Sequence, residues 1–280
     1  MNIKKFAGLL LAVLTLCSPA TTVSEADEIN TEGELGTLFS NGGDGTIMQS
    51  IPLLSSLTVS ADTIIHSNSG NKYTISGSSI AIAADKQIQV YDIEFNNVLS
   101  LDSGAKLLVG KTGYETQGVD FSAISGQGNI TLNSSRTINF SNDVKGTSLT
   151  IGSNNTSNIS FNGDVTLSGS FSQNNGTVDL GKNLSASSIT INNGELNLDS
   201  SSEIQADDGI SIVGGSINSS SSAKSGTINA GSQYLQRKST SNVYVGKIYV
   251  DSELGEVLVR DGNLNATQIG DSSNIVHKYE

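Results

Sequence analysis

Over most of this chain the apolar residues stand one position apart, in short triplets with a small polar residue at the centre. From Leu57 the series runs Leu57-Thr58-Val59, Tyr73-Thr74-Ile75, Ile80-Ala81-Ile82, Ile88-Gln89-Val90, Ile93-Glu94-Phe95, Ile130-Thr131-Leu132, Ile138-Asn139-Phe140 and Leu149-Thr150-Ile151. It continues through Ile159-Ser160-Phe161, Val165-Thr166-Leu167, Val178-Asp179-Leu180, Ile189-Thr190-Ile191, Leu196-Asn197-Leu198 and Ile210-Ser211-Ile212. A period of two puts the outer residues of each triplet on one side and the middle residue on the other, the pattern of a half-buried strand. Gly and Asn turn signals separate the triplets: Gly126-Gln127-Gly128, Asn162-Gly163, Asn175-Gly176, Asn193-Gly194 and Gly214-Gly215.

Triplets one or two apart in the series keep a nearly fixed spacing of 18 to 21 residues, as from 130 to 149, 138 to 159, 159 to 178, 178 to 196 and 189 to 210. A repeat of about 20 residues that holds two or three short strands is one coil of a β-solenoid. An antiparallel sandwich also has short, evenly spaced strands, but it closes within a smaller domain and does not carry the pattern over some 180 residues. A coil cannot bury its apolar face alone, so stability is a sum of contacts between neighbours and both ends need caps. The spacing predicts about nine coils over 55–235, a rod of roughly 40 to 45 Å. Ile130, Leu132, Ile159, Phe161, Val178, Leu180, Ile189 and Ile191 should lie inside, with Thr131, Ser160, Asp179 and Thr190 outside. Asparagine pairs at turns, Asn96-Asn97 and Asn192-Asn193, should stack their amides from coil to coil.

The flanks read differently. Residues 1–20 combine Lys4-Lys5, an apolar run from Phe6 to Leu16, and Ser18-Pro19-Ala20, a cleavable signal peptide too short to span a membrane. Acylation of Cys17, as in a bacterial lipoprotein, is the competing reading, although Leu16 precedes it where such signals carry a small residue. Residues 21–54 read as an acidic leader and N-terminal cap, ending in the turn-rich Asn41-Gly42-Gly43-Asp44-Gly45. In 236–280, two longer strands around Glu253-Leu254-Gly255-Glu256 predict a β-hairpin that closes or extends the last coil.

Composition narrows the function classes. Loss of Lys4 and Lys5 with the leader leaves 13 basic residues against 27 acidic ones, a formal charge of −14. Such a surface repels nucleic acid and anionic lipid headgroups, so no nucleic-acid partner is expected. Cleavage after Ala20 removes the single cysteine, and with it disulfides, thiolate metal sites and cysteine nucleophiles. The two histidines, His66 on an expected turn and His277 near the end, lie at opposite ends of a rod and cannot share a triad or metal site.

The acids Asp164 and Asp207-Asp208 are candidates for glycoside chemistry, which needs paired carboxylates at a set separation. Against this stand the scarcity of basic residues in the central coils and the lack of tryptophan to stack on sugars. Acidic turn residues are the expected role. Asn41 to Gly45 occurs once, without calcium-repeat spacing, Arg237-Lys238 reads as a solvated turn, and Arg260-Asp261-Gly262 has the wrong order for an integrin-binding tripeptide. No catalytic, cofactor or metal role is therefore assigned to any residue.

The segments Tyr73-Thr74-Ile75-Ser76-Gly77 and Ile88 to Asn97 resemble the early coils of autotransporter passengers. The runs from Phe161 to Leu167 and from Asn193 to Leu198 are similar to their bodies and to filamentous-haemagglutinin-type adhesins. The likeness covers about 55–235 and is one of repeat texture. It implies an all-β, right-handed parallel β-helix, exported to the cell surface, the outer membrane or beyond in a Gram-negative bacterium, with an adhesive and non-enzymatic role. The implied partners are a host surface, extracellular matrix or glycan, or a second copy. The sequence shows no barrel strands with an aromatic girdle, which leaves a truncated passenger, a stand-alone secreted solenoid, or a passenger with a separately encoded outer-membrane translocator as a further partner. A polysaccharide lyase or hydrolase on the same fold, and a periplasmic or lipid-anchored solenoid, are the alternatives.

Overall fold

A computed structural model describes residues 26–219, 225–250 and 255–270, together with the backbone of 275–278. The signal segment and Cys17 lie outside the described residues. The chain forms a β-solenoid of about 11 turns, in which every strand pairing is parallel. Each coil places short strands on three faces in turn. The first face carries, among others, Gly43–Ile47, Thr63–Ser67, Gln87–Tyr91, Lys106–Val109, Asn129–Leu132, Ser148–Ile151 and Ser170–Gln173. The second carries Ile138–Phe140, Asn158–Phe161, Thr177–Leu180 and Glu195–Leu198, and the third Val144–Gly146 and Val165–Leu167. Longer strands such as Leu184–Ile191 and Glu203–Ile212 turn a corner and serve the third and first faces, with a register shift between Ala186 and Ser188.

The triplets supply the interior as their period requires. Ile130, Leu132, Ile159, Phe161, Val178, Leu180, Ile189 and Ile191 are all buried, whereas Thr131, Ser160, Asp179 and Thr190 face outward and are half-buried. In-register stacking puts like side chains on like: Phe95, Phe121, Phe140 and Phe161 form a column on the second face, with centroids 5.4, 5.0 and 4.7 Å apart and rings within 9° of parallel. At one corner Gly176, Gly194 and Gly215 stack at φ of 79°, 92° and 77°. A Cβ on Gly194 would lie 2.3 Å from the Gly176 carbonyl oxygen, so the Asn-Gly turns fit both the backbone geometry and the coil spacing. Where the inner row of the first face changes to the buried Gln173, its Nε2 donates to the carbonyls of Gly176 and Glu195 at 3.0 Å, so corner backbone satisfies the amide nitrogen while Oε1 has no hydrogen-bond partner among the described residues.

The ends depart from expectation. The N-terminal cap contains a helix, Glu32–Asn41, started by a capping box: Thr31 Oγ1 accepts from Glu34 N–H, and Glu34 Oε2 accepts from Thr31 N–H. Leu35, Leu38 and Phe39 bury its inner side over the strands Ile51–Leu53 and Leu57–Val59. Gly42 ends the helix, and Gly43–Ile47 already belongs to the ladder, paired with Asp27–Ile29 and Thr63–Ser67. The parallel ladder thus begins well before residue 55.

At the other end the expected β-hairpin does not form. Asn242–Tyr249 pairs in parallel with Ser216–Ser219, Thr227–Asn229 and Asn263–Ile269, while Glu256–Val259 pairs in parallel with Gln233–Gln236 and Ile275–Lys278. The two strands belong to different faces, so the solenoid continues past residue 235. Residues 251–254, which hold the first part of the expected turn, lie outside the described residues.

Candidate interaction surface

The outward positions form rows along the rod, because each strand meets its neighbours in register. On the first face, Thr131, Thr150, Ser172, Thr190 and Ser211 are successive partners, flanked by Asn129, Ser148, Ser170, Ser188 and Gly209. Their polar groups are tied across coils. Ser148 Oγ donates to Asn129 Oδ1 at 2.6 Å, Asn192 Nδ2 to Asn174 Oδ1 at 2.8 Å, and Asn174 Nδ2 to the Ile151 carbonyl at 3.0 Å. Amide stacking thus occurs at Asn192, while Asn97 is buried and donates instead to the Ser78 carbonyl of the preceding coil at 2.8 Å.

The second face is polar and acidic. Thr74, Glu94, Asp120, Asn139, Ser160, Asp179, Asn197 and Asn218 follow one another on adjacent strands. Carboxylates and carboxamides pair along the row, Asn139 Nδ2 to Asp120 Oδ1 at 2.7 Å and Asn197 Nδ2 to Asp179 Oδ1 at 2.8 Å, and Lys72 makes an ion pair with Asp120. A shallow groove of about 220 Å³ runs between Ser160, Asn162, Asp179, Gly181, Asn197 and Asp199.

Many carboxylates are engaged in holding the coils. Asp143 Oδ1 accepts from Asp164 N–H, Asp164 Oδ1 from Asn183 N–H, and Asn183 Oδ1 from Glu203 N–H, at 3.0 to 3.1 Å. The buried Asp92 accepts from the backbone of Thr116, Gln117 and Gly118 and from the Thr116 hydroxyl. Buried Glu115 likewise accepts from Lys111 N–H and from the Ser135 amide and hydroxyl. Asp164 therefore sits on the corner entering the third face, whereas Asp207-Asp208 lie exposed on the corner leaving it, where Ser187 Oγ donates to Asp208. The structure does not bring these acids together as a pair. Among the described residues no group of three or more His, Cys, Asp and Glu converges. Arg237 and Lys238 are exposed beyond a first-face strand, and Arg260-Asp261-Gly262 forms another corner, with the Gly262 amide donating to Asp261.

One cluster escaped the linear reading. His66, expected on a turn, lies in a first-face strand between Thr46 and Tyr91. Its ring stacks on Tyr91 at 4.5 Å and 9°. Nδ1 is 2.8 Å from the Ser67 carbonyl, which can only accept, so this nitrogen carries a proton; Nε2 faces Thr46 Oγ1 at 3.3 Å and Asp44 Oδ1 at 3.4 Å. Lys111 reaches back over Tyr91, with Nζ 3.6 Å from Asp44 and 4.7 Å from the ring centre of the exposed Tyr114. Burial, followed by the nearby Asp44 charge, raises the Tyr91 pKa, so its hydroxyl stays protonated at neutral pH. No motif announced this cluster, because its members come from successive coils. Reading outward positions one coil apart would have found Thr46, His66 and Tyr91, whereas Asp44 and Lys111 reach in from positions beside that row.

Set against known proteins, the chain matches no family model, no curated protein and no solved structure.

Proposed function

We propose that this protein is an exported adhesive scaffold, displayed on a cell surface or secreted, that works by multiple weak contacts along its faces and not by catalysis. The observation that carries this reading is the register of the outward rows: the same short polar groups recur at each coil over five successive first-face strands. A repeating surface suits a ligand met at many points, such as a host surface or matrix glycan, whereas catalysis needs a few convergent groups. Of the carboxylates that first invited an enzymatic reading, Asp164 supports it poorly because it accepts from the Asn183 backbone amide of the next coil, and Asp207-Asp208 stand apart from it on another corner. The resemblance to autotransporter passengers supports export to the cell surface or beyond it.

Labelled full-length chain, applied as a monomer to host cells and to matrix- or glycan-coated surfaces, tests the reading. Saturable binding that unlabelled protein displaces is expected. Retention no greater than that of an unrelated protein of equal charge removes it. Mass spectrometry of the mature N-terminus tests export separately, since a chain starting at Thr21 and one starting at acylated Cys17 differ plainly, and an intact Met1 contradicts both.

A further inference from the structure

Charge is unevenly placed around the rod. In four consecutive coils the segments 127–135, 146–158, 167–177 and 186–194 contain no Asp, Glu, Lys, Arg or His. Each of these segments comprises a first-face strand and its flanking corners. The charged residues between 127 and 194, namely Arg136, Asp143, Lys145, Asp164, Asp179 and Lys182, fall on or beside the other two faces. In a chain of formal charge −12, copies repel one another wherever charged surface meets charged surface. The first face is where two copies can approach without desolvating like charges.

The chemistry of that face is also its own complement. Thr131, Ser148, Thr150, Ser172 and Thr190 carry hydroxyls, and Asn129 a carboxamide, groups that both donate and accept hydrogen bonds. A contact between identical patches needs this property, and a row of carboxylates or ammonium groups lacks it. We propose that a second copy of this chain docks face to face on the first face of residues 127–194. The assignment rests on the adhesive-scaffold reading and names its partner.

Size sets the strength. Four strands about 4.8 Å apart, with their corners, offer a few hundred Å² per copy, below the roughly 800 Å² per partner of a standard stable interface. The contact is therefore weak between free monomers and effective between surfaces that carry many copies. It should strengthen with salt, because salt screens the overall repulsion and finds no ion pairs on this face to weaken.

Clumping of beads that carry the full-length chain, followed by light scattering, tests the inference. Wild-type beads should clump, and faster at high salt. Beads with Thr150→Lys plus Thr190→Lys, or with Thr150→Glu plus Thr190→Glu, should clump about tenfold or more slowly, because like charges now face each other. A mixture of the Lys and Glu beads should recover. Thr166→Lys plus Ser185→Lys on the third face, a matched change of charge, should leave clumping near wild type. Melting curves must first show all variants folded. Dispersed wild-type beads, either charged variant clumping as wild type does, or capture of glycan-coated beads in place of one another overturns the proposal. If clumping fails while monomer still attaches to cells, only this inference falls; if both fail, the adhesive reading falls with it.

Discussion

The contrast between neighbouring residues on one strand states the account at its finest scale. Ile191 is fully buried and Thr190 faces outward. Ile191→Asp puts a carboxylate among apolar side chains with no partner and should cost at least about 4 kcal/mol in denaturant unfolding. Thr190→Asp should stay within about 1 kcal/mol. Equal costs would contradict the assignment of inside and outside. Asp92 offers a second test, because it holds the 116–118 backbone through a cluster of charge-assisted bonds. Asp92→Ala should cost about 3 kcal/mol, and amides 116 to 118 should lose hydrogen-exchange protection; unchanged protection would show that the loop is held elsewhere.

At this scale the sequence was informative wherever a residue's role depended on its immediate neighbours. The inner and outer positions of Ile130, Phe161 or Thr190 follow from period two alone. Roles set across coils stayed hidden: Asp92 looked like any acidic residue, and His66 gave no sign that Asp44, Tyr91 and Lys111 would surround it.

Among elements, the N-terminal helix is latched by two glutamates. The Ser55 hydroxyl, then the Leu54 and Ser55 amides, hold Glu32 below the usual carboxylate range. The Asn30 amide does the same for Glu34, with Thr31 adding to it. Groups with a depressed folded pKa stabilise above their unfolded pKa, and that contribution disappears as the pH falls through the folded value. In an NMR titration the amide signals of Asn30, Leu54 and Ser55 should therefore move with midpoints below that of a free glutamate, and midpoints at the ordinary value would contradict the latch. The phenylalanine column is the corresponding device inside the rod. Phe140→Ala should cost about 3 to 5 kcal/mol and Phe140→Leu less than about 1.5.

The hairpin expected near the C-terminus shows where element reading stops. Two strands with Gly and Glu between them look alike whether the chain reverses or turns a corner of a coil. What decides is the partner one coil away, 26 and 23 residues earlier in the chain: Val243 meets Ile217, and Val257 meets Tyr234. The helix was missed for a different reason. Gly33 and Gly36 weaken its propensity, and the Thr31-to-Glu34 capping box was the signal that marked it.

For the whole molecule, about 11 turns at about 4.8 Å give a rod of roughly 53 Å, longer than the 55–235 estimate because the ladder takes in both flanks. The account stands or falls on continuous parallel register, since the rows, the neutral face and the engaged carboxylates all derive from it. Paired cysteines test it most directly. In a Cys17→Ser background, Thr131→Cys with Thr150→Cys puts thiols on directly facing residues of adjacent coils, within disulfide reach. Thr131→Cys with Ser172→Cys spans two coils, about 9.6 Å, and is beyond it. Thiol titration after mild oxidation should find no free thiol in the first variant and two in the second. Free thiols in the first, or bridging in the second, would contradict the solenoid register.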